Sequence, residues 1–255
     1  MPQPQFGPRY ESTRQAWESI WNTASVEREL ELTRTARARS TMNTYAAYLK
    51  KDGLHLEAGS GLSAALITLR QMGYDMIGLD YAANALHVSH AYDPTLPLLV
   101  GDVHALPHAD NSLDGYLSFG VLEHFEHGMG PALSEAYRVL RPGGILVLTI
   151  PYPNVVNRFV AWRRKEQGAT VLNDDEFYES TYTRRALCSN VTAAGFKLEK
   201  VMPTSHSYTL WGLGKIFRGA GYYETSLLAE VLGSLLGMFL PWAFNFSTLV
   251  VARKP

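Results

Sequence analysis

The chain has 255 residues, 46% of them hydrophobic, with a formal net charge of -1. A chain of this length buries roughly 70–75% of its unfolded surface, so its core needs no staple, and its near-neutral charge excludes a global field that would recruit nucleic acid. Cys188 is the single cysteine, which excludes an internal disulfide and fits a reducing compartment. Residues 1–9 lack the apolar core of a signal peptide, so the expected location is the cytoplasm.

In chain order, residues 11–50 read as helical, with Trp17, Ile20 and Trp21 as apolar anchors. A short strand near 53–58 ends in the acid Glu57. Gly59-Ser60-Gly61 follows as a tight turn, and a helix-forming run starts at Leu62. Glycine lets such a turn adopt unusual backbone angles and lets a bound nucleotide approach closely. The strand-turn-helix layout puts that ligand at a helix N-terminus and at the carboxyl end of the strand. Further strands are expected near 75–80, 97–101, 114–119 and 144–150, with helices near 62–72, 82–91 and 130–140. This alternation implies parallel pairing through right-handed crossovers. Arg141-Pro142-Gly143-Gly144 stops a helix and precedes a buried-strand run. Residues 154–168 and 184–194 read as helices, and Phe196–Val201 and Phe246–Ala252 as strands.

Asp80 ends the second strand about twenty residues after the turn, where a carboxylate can accept the hydroxyls of an adenosine ribose. The turn and Asp80 alone suit a dinucleotide as well as S-adenosylmethionine. Four later stretches discriminate: Gly101-Asp102-Val103 through Pro107, Asn111-Ser112-Leu113-Asp114, Ser118-Phe119-Gly120-Val121-Leu122-Glu123-His124, and Arg138 through Gly144. Together with the turn, they resemble the class I S-adenosylmethionine-dependent methyltransferases. The likeness is to the broad type 11 group, which includes quinone-biosynthesis enzymes and many small-molecule methyltransferases. It covers residues 50 to 152, and 180 to 202 and 246 to 254 more loosely. A nicotinamide-dependent oxidoreductase does not account for Asp102, the Val-Leu-Glu-His run and the Arg-Pro-Gly-Gly turn together.

The resemblance implies a doubly wound seven-stranded α/β sheet of order 3-2-1-4-5-7-6, with the last strand antiparallel and helical insertions around the acceptor site. It implies S-adenosylmethionine as cofactor and S-adenosylhomocysteine as product. Glu57, Gly59, Ser60 and Gly61 fall on the first motif. Asp80 falls on the ribose acid, with Tyr81 beside it, and Asp102 on the adenine acid, with Val103 beside it. Phe119 is a backbone contact to the cofactor. Ser63 stands where relatives often carry a third glycine and is expected to N-cap the next helix.

Methyl transfer needs alignment, exclusion of water and, for an acidic nucleophile, a proton acceptor. His124 is the first candidate base, although a histidine there can equally shape its loop; Glu123 and His127 stand behind it. Without an assured base, a catalytically silent cofactor-binding or regulatory protein is the rival from another class. Arg34, Arg37 and Arg39, and Arg158, Arg163, Arg164 and Lys165, could receive an anionic acceptor or simply be solvated. Tyr178 and Tyr182 could stack on a ring or pack a lid. No residues have convincing metal-ligand spacing.

The organisation expected is a single domain: a helical cap over 1–50, a cofactor core over 51–152, and acceptor-site insertions over 153–183 and 208–245. In the last of these, Leu227, Leu228, Val231, Leu232, Leu235, Leu236, Phe239 and Leu240 recur on one helical face, opposite Ala229, Glu230, Gly233, Ser234 and Gly237. Pro241, Asn245 and the β-rich tail argue against a single membrane-crossing helix. The apolar face is expected to bury against protein over the strand ends, with Trp211 or Trp242 near the pocket. Peripheral membrane contact and a dimer surface are the alternatives. An apolar insertion favours a small, partly hydrophobic or lipid-linked acceptor, such as an isoprenoid, quinone, polyketide or lipid-linked saccharide, and no nucleic acid.

Overall fold

The computed structural model describes residues 9–159, 179–220 and 224–255. Seven strands form one sheet: β1 (Leu54–Ala58), β2 (Asp75–Asp80), β3 (Leu98–Val100), β4 (Leu113–Phe119), β5 (Leu140–Pro151), β6 (Lys197–Thr204) and β7 (Ser247–Arg253). Their order is β3-β2-β1-β4-β5-β7-β6. The first five strands pair in parallel, and β7 runs antiparallel to both β5 and β6. β1 and β4, and β5 from Ile145 onward, are buried at almost every position because both faces of the central sheet are covered.

α1 (Tyr10–Trp21), α2 (Val26–Thr33) and α3 (Ala36–Ala46) precede the sheet. α4 (Ala64–Gln71), α5 (Ala83–Tyr92) and α6 (Gly130–Val139) connect its parallel strands, and α7 (Arg184–Ala193) leads into β6. α8 (His206–Trp211) and α9 (Leu227–Phe239) lie between β6 and β7. Side-chain hydroxyls cap four of these helices: Ser25 accepts from Arg28 N–H, Thr35 from Ala38, Thr183 from Ala186 and Ser226 from Ala229. Two apolar clusters fill the core. One, around Tyr116, Leu133 and Leu146, packs α6 and α7 on the sheet, and the other, around Leu66, Met76 and Val147, packs the N-terminal helices and α4.

The expected elements form close to their sequence positions. β5 starts earlier than expected, at Leu140, because the pairing with β4 jumps from Leu113↔Leu140 to Gly115↔Ile145 and leaves the Arg-Pro-Gly-Gly turn looped out between. Gly143 supplies that turn with φ +81°. Residues 155–159 are helical, as expected at the start of 154–168; the remainder of that helix lies outside the described residues.

α9 inverts its expected disposition. Its buried positions are Ala229 and Gly233, on the small-residue face. A Cβ at Gly233 would stand 2.5 Å from the Ser207 backbone, so glycine is what lets α9 lie directly on α8. The apolar face turns outward: Leu227 is 81% exposed, Met238 71% and Phe239 72%, with Leu228, Val231 and Leu235 also exposed. The expectation of burial failed because backbone contact between α8 and α9 is closer than any leucine permits.

Candidate functional site

A cavity opens at the carboxyl ends of β1, β2 and β4, lined by Glu57, Gly59, Ser60, Gly61, Asp80, Tyr81, Phe119 and His124, with Trp17 and Trp21 reaching in from α1. Strand order reverses there: β2 lies on one side of β1 and β4 on the other. Such a switch point leaves a crevice beyond the strand ends, because the connecting helices diverge to opposite faces.

The turn after β1 depends on left-handed backbone. Gly59 has φ +80° and Gly61 φ +47°. A Cβ on Gly59 would stand 2.3 Å from a Val121 methyl, so the β1 and β4 loops touch only because the side chain is missing. Ser63 also sits in the left-handed region, at φ 60°, which explains why a glycine suits that position. The expected cap is absent: Ser63 makes no side-chain cap bond. Glu57 replaces it, accepting the Leu66 N–H at 2.8 Å. A carboxylate at a helix N-terminus is favoured by the exposed N–H groups and the helix dipole. Burial nevertheless pushes Glu57 up to about 8, against the opposing effect of the Leu66 N–H.

Asp80 organises the same turn. One of its oxygens accepts Gly61 N–H at 2.7 Å and the other Ala82 N–H at 2.8 Å. Burial raises its pKa, and the N–H groups of Ala82, Gly61 and Tyr81 oppose that rise. Each oxygen keeps a second lone pair, so the residue can hold the turn and still accept from a ligand in the cavity.

The third acid has a partner that the sequence reading missed. Tyr10 of α1 donates its hydroxyl to Asp102 at 2.6 Å. The other Asp102 oxygen meets the backbone N–H of His104 at 2.8 Å and the His104 ring at 2.7 Å. Burial alone would raise the Asp102 carboxyl, but the bonds from His104 and Tyr10 outweigh it and hold the group below its ordinary range. Asp102 and Val103 stand outside the cavity lining, and Val103 is a core residue. α1 therefore lies across the strand ends. It is tied down at its start by Arg9 and Glu126, 3.4 Å apart, and at its end by Asn84, whose amide donates to the Glu18 carbonyl at 2.7 Å. Trp21 packs on Gly61, and Trp17 meets His124 edge-on with centroids 5.3 Å apart. Tyr10, Trp17 and Trp21 are spaced seven and eleven residues apart, one helical face. That aromatic stripe was the available signal, and it reads first as core.

The two catalytic candidates separate. His124 is buried and lines the cavity. Glu123 is buried but absent from the lining. Its carbonyl accepts from Ser180 N–H at 3.0 Å, one carboxyl oxygen has no hydrogen-bond partner, and burial pushes it up to about 8, with Glu179 adding to the rise. His127 is exposed. Tyr182 packs against the core, and Tyr178, Arg163, Arg164 and Lys165 lie outside the described residues. Arg34, Arg39 and Arg158 are exposed; Arg37 is half-buried over the Tyr208 ring at 5.7 Å. Trp211 and Trp242 do not line this cavity. Among the described residues no group of His, Cys, Asp and Glu is arranged to hold a metal ion.

The implied cofactor can be tested against these atoms. Inside the lining, the Ser60 and Ser63 hydroxyls are buried without hydrogen-bond partners, and the turn that carries them exists only with its glycines. Unpaired buried donors of this kind are costly unless a ligand meets them. Asp80 adds an acceptor suited to a ribose hydroxyl, so the residues present fit a nucleoside-bearing ligand at the turn.

Residues 56–148 match the family described as "Methyltransferase domain". A probable S-adenosylmethionine-dependent methyltransferase of Mycolicibacterium smegmatis is 31% identical over 157 residues, which are 61% of this chain and 56% of the relative. The ubiquinone/menaquinone biosynthesis C-methyltransferase UbiE of Dinoroseobacter shibae is 39% identical over 99 residues, 36% of this chain and 39% of the relative. The chain thus spans between about two-fifths and just over half the length of these curated relatives. Among solved structures, geranyl diphosphate C-methyltransferase from Streptomyces coelicolor, in complex with S-adenosyl-L-homocysteine, superposes with a TM-score of 0.61 at 11% identity, covering 99% of this chain and 100% of that one.

Proposed function

We propose that the chain, whose residues 56–148 match the methyltransferase domain family, is a class I S-adenosylmethionine-dependent methyltransferase of the type 11 group that transfers a methyl group to an oxygen, carbon or nitrogen of a small, partly hydrophobic or lipid-linked acceptor. The observation that carries this reading is one cavity holding the left-handed glycine turn, Asp80, two unpartnered serine hydroxyls and His124.

In this reading the Gly59–Gly61 turn, whose own N–H groups are held by the Leu79 carbonyl and Asp80, lets the backbone approach the amino-acid and ribose portion of the cofactor closely. Asp80 accepts from the ribose, beside Tyr81. Asp102 accepts from the adenine amino group after Tyr10 yields its place. Phe119 bounds the cavity where β4 ends. The bound cofactor supplies a methyl group already activated on a sulfonium, so little covalent help is required. The chain's own work is to align the acceptor, exclude water and hold a proton. α1 excludes water by covering the strand ends with Trp17 and Trp21. His124 is the imidazole in the cavity lining and serves as the proton acceptor. Glu123, whose backbone carbonyl accepts from Ser180, shapes the loop that presents His124. The acceptor class follows from the aromatic cover, which favours an apolar body, and the quinone methyltransferase relative is consistent with it.

The test is transfer of label from methyl-tritiated S-adenosylmethionine into a lipid extract and, separately, into an aqueous metabolite extract of the source cells. Label in an organic-soluble product supports the reading. Label confined to water-soluble products refutes the acceptor class, and tight cofactor binding with no transfer to either extract favours a catalytically silent protein.

A further inference from the structure

The outward face of α9 is apolar from end to end. Leu227, Leu228, Val231, Leu235, Met238 and Phe239 fall within one arc of the helix, all exposed, and Ile216 beside its start is 66% exposed. Ser234, which borders the arc, already gives its hydroxyl to the Glu230 carbonyl at 2.7 Å. No charged side chain enters the arc. The segment's carboxylates, Glu224 and Glu230, line a cleft between α9 and α3 that also holds Arg37 and that Leu227 and Val231 border at the edge of the arc. A surface helix ordinarily buries such a face and exposes charge, and a contiguous exposed apolar patch of this kind marks a docking surface.

We propose that this face seats the protein on an anionic lipid surface. Two observations choose that occupant. First, the rim is cationic and aromatic at both ends: Arg218 lies over Trp211 at 4.1 Å near the start of α9, with Lys215 exposed nearby, and Arg184 lies over Trp242 at 4.7 Å beyond its end. Indoles and guanidinium groups suit the headgroup level, where one end of each group is apolar and the other wet. The cations complement anionic headgroups. Second, the face itself offers a protein partner nothing to hydrogen-bond, whereas specific protein interfaces carry about one hydrogen bond per 100–200 Å². A bilayer surface requires none. α9 has 13 residues, about 20 Å of helix, and no described helix is long and apolar enough to cross a membrane, so contact is along the interface plane. The docked helix would hold the chain against the phase that contains a lipid-soluble acceptor, but the docking does not depend on that acceptor.

The experiment is flotation of the whole chain with vesicles of phosphatidylcholine containing phosphatidylglycerol, compared with phosphatidylcholine alone, alongside sedimentation to measure oligomeric state. Wild type should float with the anionic vesicles and weakly with the neutral ones. Leu235→Asp with Phe239→Asp should cut binding roughly tenfold or more, since burying a single leucine is worth about that much in partition. Lys215→Gln with Arg218→Gln should remove the preference for anionic lipid. These side chains are exposed, so circular dichroism and S-adenosylhomocysteine binding should be unchanged. If the aspartate pair misfolds, Leu227→Ser with Met238→Ser replaces it. Wild type that floats with neither vesicle overturns the proposal, as does flotation unaffected by both apolar pairs. A dimer that the apolar substitutions dissociate, without lipid binding, overturns it in favour of a second copy of the chain.

Discussion

Tyr10→Phe should tighten binding of S-adenosylmethionine. The hydroxyl of Tyr10 lies 2.6 Å from Asp102, the acid assigned to the adenine amino group, so cofactor and tyrosine compete for one oxygen. Removing the hydroxyl leaves the ring in place. Its neighbours Tyr81, with centroids 6.0 Å away, and His104, at 6.5 Å, lose little packing. A hydrogen bond to a charged group is worth about 1.5–3 kcal/mol, part of which water returns to the freed carboxylate. A net gain of about 0.5–1.5 kcal/mol therefore reaches the ligand, or roughly 2- to 12-fold in Kd. Isothermal titration with S-adenosylhomocysteine, which does not turn over, measures it. Hydrogen exchange across residues 9–21 should rise in parallel, because Tyr10 is one of the ties that hold α1 down, with Arg9–Glu126 and Asn84–Glu18. A Kd that is unchanged or weaker would refute the competition. Weaker binding would mean that Tyr10 forms part of the ligand's own wall.

Asp80→Asn should weaken cofactor binding at least about tenfold by removing the charge on a ribose acceptor, while an unchanged Kd with folding intact removes Asp80 from the site. Asp80→Ala is the poorer probe. It also strands the N–H groups of Gly61 and Ala82, which should cost about 1–3 kcal/mol of stability and be visible in thermal melts. Glu57→Gln tests burial of the helix-capping acid. The carboxyl titrates near 4.5 when free and at about 8 in the fold, so below pH ~4.5 it is protonated in both states and has no effect. Between these values the unfolded chain ionises and the folded one does not, so the fold loses stability as pH rises, up to a ceiling of about 4–5 kcal/mol. Glutamine keeps an acceptor for Leu66 N–H, so the variant should gain on wild type in melts at pH 8 and match it near pH 4.5; parallel pH slopes would disprove the burial argument. His124→Asn should depress turnover about 10²–10⁴-fold with little change in S-adenosylhomocysteine affinity if His124 takes the proton, and near-normal turnover would demote it to shaping the loop.

The sheet was legible because its signals are local. Alternation of apolar strands with helices, the Gly59–Gly61 turn and the Arg-Pro-Gly-Gly stop each act within a dozen residues, and the strand order came with the resemblance. The acids at the strand ends were legible for the same reason: each lies at the end of its own strand or within two residues of it. What escaped was contact between distant segments. Nothing near Asp102 announces that Tyr10, 92 positions earlier, takes its oxygen. Nothing near Ser63 announces that Glu57 takes its capping role through Leu66 N–H. α9 shows the physics most directly. A leucine stripe opposite a stripe of glycine, alanine and serine has two packing solutions, leucines inward or backbones in contact. Periodicity gives both the same moment. Helix α8 decides between them, because the Ser207 backbone comes so close that only a glycine face can meet it. The leucines are then left outside, and the surface that looks inward in the sequence is the one available for docking.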